Sequence, residues 1–122
     1  MRIFIICTVR KASEEYLDRL YKYTESLELE GHRVHLPPRD TNQIDDTGGY
    51  IICNTNRDAI ELAHEVHIFE YNEQSTGQHF DIGVAFALNK KIKRIGCPVD
   101  ESIPKSFPKM LKYWEENFEK NN

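Results

Sequence analysis

Six residues at the start of the chain, Arg2-Ile3-Phe4-Ile5-Ile6-Cys7, limit its fold more than any other segment. A near-continuous run of β-branched and aromatic side chains leaves no face for water, which predicts a strand covered on both sides, as in the centre of a parallel sheet. Parallel neighbours cannot be joined by a hairpin, so helical crossovers must lie between the strands. The remaining sequence supplies them in alternation.

Ser13 followed by Glu14 and Glu15 predicts a helix start. Leu17, Leu20, Thr24 and Leu27 then recur at helical spacing until Gly31, giving a helix over about 13–30. A short strand is expected at 33–36, ended by Pro37-Pro38, which removes backbone donors. Residues 39–49 have no clear period and read as a long loop, a length often found in functional lids. A second helix is expected from about Tyr50 to His64, a strand at 65–69, a polar loop at 70–77, a helix at about 78–88 and a strand at about 91–96. Ile103, Phe107, Leu111, Trp114 and Phe118 mark an amphipathic helix over about 104–120. These elements predict an α/β fold. It is a single small doubly wound, Rossmann-like or flavodoxin-like parallel sheet of four to five strands flanked by helices, with four of the strands in the order 2-1-3-4, and 1–122 is read as one domain.

Charge and cysteine usage exclude several functions. The net charge is −4 with basic residues scattered, whereas a nucleic-acid groove needs a continuous positive stripe, so no nucleic-acid polymer is expected as a partner. No apolar run approaches the roughly 18 residues of a membrane span, and the first strand is too short and too soon polar for a signal peptide, so the cytoplasm is the expected compartment. Cys7, Cys53 and Cys97 have neither zinc spacing nor the density of a disulfide scaffold. His64, His67 and His79 form no metal-ligand pattern with the carboxylates, and neither a metal nor a cofactor is expected. Walker A, G-x-G-x-x-G and G-x-S-x-G motifs are all missing.

In a 2-1-3-4 sheet the switch point lies between strands one and three, and ligands of open α/β sheets bind in the crevice there. Two loops meet at it, Thr8 to Ala12 and Glu70 to Gly77, and Asp81 lies about one turn inside the helix that the second loop feeds. The amides freed at that helix start attract anions. Each residue also has a plain structural role open to it: Asp81 can serve the helix dipole, Arg10 can pair with a surface acid, Asp58 can be a solvated helix residue and Ser75 can begin a turn.

The motif Ser75-x-Gly77-x-x-x-Asp81-Ile82-Gly83-x-Ala85, with Phe86-Ala87-Leu88-Asn89-Lys90-Lys91 after it and the strand, hydroxyl, aliphatic, Arg order of the first loop before it, resembles the nucleoside 2-deoxyribosyltransferase superfamily. The branch it is most similar to is the 2'-deoxynucleoside 5'-monophosphate N-glycosidases. The resemblance implies an enzyme that cleaves or transfers the N-glycosidic bond of a nucleoside or nucleotide. It implies that Asp81 stands at the nucleophilic carboxylate, a Glu in the family, and that Asp58 stands at or near the second acid. Thr8 and Arg10 match the first-loop hydroxyl and guanidinium, and Ser75 with the Gly77 amide matches the phosphate contact. Ser106 or Ser102 matches a hydroxyl that reaches a neighbouring subunit's site, and a homodimer or higher homo-oligomer is implied. Phe4 stands where the branch has a Tyr, and Lys11 and Ala12 replace two glycines. With these departures, a catalytically weak binder or sensor of a nucleotide-like metabolite is the alternative expectation.

Overall fold

The computed structural model describes residues 1–120. Strands β1 (Arg2–Ile6), β2 (Arg33–His35), β3 (Glu65–Phe69) and β4 (Lys91–Ile95) form a sheet in the order β2-β1-β3-β4, and every pairing is parallel. Register is set by Ile3 opposite Val34 on one side of β1 and Phe4 opposite Val66 on the other. The helices are α1 (Glu14–Leu29), α2 (Pro37–Asp40), α3 (Tyr50–Leu62), α4 (Thr76–Ala87) and α5 (Phe107–Asn117), the last running into a 3-10 turn at Phe118–Lys120. The α/β class and strand order expected from the sequence are those observed. None of these helices is long and apolar enough to cross a membrane.

Side chains alternate across the pleat, so each inner strand feeds two cores. Phe4, Ile6, Val66 and Ile68 pack against Ile60 of α3, Ile82 and Ala85 of α4 and Leu111 of α5. Ile3, Ile5, Cys7 and Phe69 pack against Leu20 and Leu27 of α1 on the opposite face. Phe4, Ile5, Ile6 and Ile68 have no solvent exposure, and burying each such side chain is worth about 1.5–3 kcal/mol. One helix therefore covers one face while three cover the other.

The helix boundaries follow local chemistry. The Ser13 hydroxyl accepts from the Tyr16 amide to start α1. Gly31, with φ +95°, ends it by letting the His32 amide turn back to the Leu27 carbonyl. Residues 37–40, expected as the strand end and the start of the loop, form a helical turn. Prolines at its first two positions have the fixed φ a helix start requires, and the Asp40 carboxylate accepts from the Leu36 amide at 2.8 Å. The following segment, Thr41 to Gly49, is anchored. Gln43 Nε2 donates to the carbonyls of Pro37 and Thr41, and the Asp45 carboxylate accepts from the Thr47 and Ile52 amides to cap α3. The last helix begins at Phe107, later than expected, because Ser106 is its cap.

Candidate active site

The carboxyl ends of β1, β3 and β4 open into a cleft of about 640 Å³. Its walls include Thr8 and Lys11 from the β1–α1 loop, Tyr16 and Arg19 of α1, Asn72 after β3 and Cys97 after β4. The loops are held apart by specific contacts. Arg19 forms a paired hydrogen bond and ion pair with Glu70, at 2.8 Å for both nitrogens. Gln78, fully buried, donates through Nε2 to the Phe69 carbonyl and accepts the Asn72 amide at Oε1, so one side chain fixes the whole β3–α4 loop. A Cβ on Gly96 would lie 3.2 Å from the Glu70 side chain, and its φ is +63°, so the β4 exit needs glycine.

Thr8 is at the back of this cleft. Its amide donates to the Tyr16 hydroxyl at 2.8 Å, while its own hydroxyl is buried with no hydrogen-bond partner among the described residues. An unsatisfied buried hydroxyl costs about 1–3 kcal/mol, and such groups collect at functional sites. Arg10 is exposed beyond it, in no ion pair among the described residues, and does not line the cleft. Ser75 is the N-cap of α4, accepting from the Gln78 amide at 3.2 Å. Gly77 is exposed in the first turn of α4, where a Cβ would meet nothing within 4 Å. Ser106 caps α5 through the Lys109 amide, and Ser102 bonds to Asp100.

Asp81 lies about a turn and a half inside α4, 8% exposed. It faces α3 and is not part of the cleft lining. Asn56 Nδ2 donates to its Oδ2 across a long 3.5 Å contact. Burial pushes the carboxyl up to about 7, against the opposing pull of the Asn56 amide. The same neighbourhood holds two thiols. Burial and then the Asp81 charge push Cys7 up to about 12, and Cys53 is raised for the same reasons.

Asp58 does not join this group. Its side chain is 66% exposed and meets Arg57 at 3.4 Å. The inward stripe of α3 is Ile52, Asn56 and Ile60, and a residue two positions past Asn56 is turned by about 200° from it. Asn56, and not the Asp58 that the resemblance implies, is the α3 residue beside Asp81. Its signal was a polar residue at a core-facing position of an amphipathic helix. Gln78, buried in the apolar α4, carried the same signal. Thr41 and His35, which lie behind Asn56, had none.

The histidines noted in the sequence have protein partners. His67 lies between the Tyr23 hydroxyl at 2.6 Å and Glu65 at 2.9 Å, His64 accepts the Arg2 amide and His79 meets the Tyr71 hydroxyl. Among the described residues no group of three or more His, Cys, Asp and Glu could hold a metal ion.

Sheet order, a polar cleft at the switch point and a buried carboxylate on the helix behind it define a doubly wound α/β protein with an open cleft at the carboxyl ends of its strands. Two solved structures share the architecture. The CMP N-glycosidase BcmB of Clostridium botulinum aligns with a TM-score of 0.58 and 26% identity, over 77% of this chain and 70% of that one. A 2-deoxyribosyltransferase from Bacillus psychrosaccharolyticus aligns with a TM-score of 0.64 and 17% identity over 97% and 96%, a likeness of fold. Both belong to the nucleoside 2-deoxyribosyltransferase superfamily, so the resemblance carried by Ser75 to Lys91 is borne out. No protein-family model matches the chain, and no curated protein does.

Proposed function

We propose that this protein cleaves or transfers the N-glycosidic bond of a nucleoside, deoxynucleoside or nucleoside 5'-monophosphate, with Asp81 as the nucleophile. One observation carries the reading: a buried carboxyl with a single side-chain donor among the described residues, on the first turns of the helix that opens at the sheet's switch point. A carboxylate there attacks C1', forming a C1'–O bond as the C1'–N bond breaks and the base leaves with the electron pair and takes up a proton. Water then displaces Asp81 to complete hydrolysis, or a second base displaces it to complete transfer. Thr8 offers an unpartnered hydroxyl to the ligand. Arg10 offers a planar fork to a 5'-phosphate, with Ser75 and the Gly77 amide at the helix start. The reading takes the protein to be a cytoplasmic homodimer, with Ser106 or Ser102 turned toward the partner's site.

The test is base release, followed by chromatography, from a panel of nucleosides, deoxynucleosides and their 5'-monophosphates. Release by the native protein, reduced at least about a hundredfold in Asp81→Asn, is the expected result. Release undiminished in that variant overturns the role of Asp81. A second reading is favoured by the cleft itself, whose lining leaves Asp81 out: a binder of nucleotide-like metabolites without turnover. It predicts thermal stabilisation by a nucleotide with no free base.

A further inference from the structure

Behind Asp81 runs a file of polar side chains drawn from separate segments. His35 at the end of β2 places Nε2 2.8 Å from the Thr41 hydroxyl. That hydroxyl donates to Asn56 Oδ1 at 2.7 Å, and Asn56 Nδ2 donates to Asp81 Oδ2. A threonine hydroxyl has one proton, and here it goes to Asn56, so His35 must be the donor to Thr41. An amide has one acceptor end and one donor end. With its oxygen held by Thr41, the end turned to Asp81 is the NH2. Phe4 lies flat on the His35 ring, with centroids 5.3 Å apart and planes within 10°, which fixes the direction of the first link. Thr41 and Asn56 are both buried, so water does not substitute freely for either.

We propose that His35 and Thr41 are positioning residues for Asp81, acting through Asn56: they hold its amide so that the carboxylate meets an N–H donor and not the amide oxygen. The inference rests on Asp81 being the working carboxylate. If the amide were reversed, its oxygen would face a carboxylate oxygen, which would favour the protonated, non-nucleophilic acid. A purely structural tie between the 41–49 segment and α3 would use the same contacts, but it would leave the Asp81 proton indifferent to Thr41.

The surroundings make that proton readable. Asp81 interacts with the Cys7 thiol just past β1 and the Cys53 thiol of α3, both raised above their ordinary range and neutral near pH 7. His35 faces Asp40 and Arg39 of α2, whose charges act on it in opposite directions, while burial keeps it in the neutral form.

The experiment is a carbon-13 NMR titration of the Asp81 carboxyl in the intact protein, which needs no substrate. Thr41→Val is expected to move the midpoint upward by about one pH unit, Asn56→Leu at least as far, and Thr41→Ser to restore it. Should Thr41→Val not fold, His35→Leu against His35→Gln reads the same link, since glutamine retains an N–H donor and leucine has none. A midpoint unmoved by Thr41→Val, or equal in the two His35 variants, overturns the inference. The glycosidase reading fails separately, if no substrate in the panel releases base while the titration behaves as stated.

Discussion

Asp81 makes the protein's stability depend on pH in an unusual direction. Burial pushes its carboxyl from an ordinary value of 3.8 up to about 7 in the folded chain, so the folded state holds its proton more tightly than the unfolded state does. Below about pH 4 both states carry the proton and the contribution is fully present. As pH rises through 7 it is lost, by up to about 4 kcal/mol if the burial is undisturbed. Asp81→Asn removes that dependence while leaving an amide of the same shape. We therefore expect the variant to be more stable than the native protein at pH 8 by about 1–3 kcal/mol, and close to it at pH 4. Urea unfolding at both values measures this. A variant less stable at pH 8 would mean that the carboxylate is well solvated after all. The sign matters for function, because a group that weakens the fold at the working pH is retained for some other reason.

The start of α4 separates two roles that one serine could have. Ser75 caps the helix, and its replacement by alanine should cost about 1 kcal/mol in stability through loss of that bond. Ser75→Asp keeps a capping oxygen and suits the helix dipole, so stability should be retained or slightly raised. If the phosphate of a 5'-monophosphate binds at this helix start, the same aspartate repels it, and nucleotide binding should weaken at least about tenfold while nucleoside binding holds. Calorimetric titration with both ligand types reads the difference, and equal losses would remove Ser75 from phosphate recognition. Much at this scale was legible beforehand. The β-branched run of β1 and the helical period of α1 are local patterns, and the alternation of strands and helices led to the strand order, whereas Ser75 read as the start of a turn and is the cap of α4. The turn at Pro37-Pro38 was misread because proline both ends strands and starts helices, and the choice rests on the Asp40 carboxylate reaching the Leu36 amide. Asp58 came from the resemblance alone, whereas the stripe of Ile52 and Ile60 decides that Asn56 is the α3 side chain that points inward. His35 and Thr41 could not be read, since their link to Asp81 exists only once α3 packs beside α4.

At the scale of the whole molecule the two faces of the sheet differ in how they end. α1 closes one face alone, but the three helices on the other leave an apolar groove of about 570 Å³ between α4 and α5, lined by His79, Ile82, Phe86, Phe107 and Met110. Phe86 and Phe107 are each more than half exposed there, as is Phe80 on α4 outside the lining. Such a concentration of exposed aromatic surface suits a self-association face. Light scattering should give twice the chain mass for the native protein, and Phe80→Glu, whose side chain has no part in the intramolecular ring contacts, should halve it. A native protein that runs as a monomer at micromolar concentration would rule the dimer out. The polar file behind Asp81 has a consequence of another kind, for descent. Its members come from β2, the 41–49 segment, α3 and α4, and apart from His35, which pairs with Phe4 in the sheet, none of them belongs to a strand. Apolar strands maintain the fold, so lineages can exchange Asn56 or Thr41 one at a time and retune the acid without rebuilding the scaffold. Divergence of chemistry within this architecture then advances by single side chains, on a frame that selection has little cause to alter.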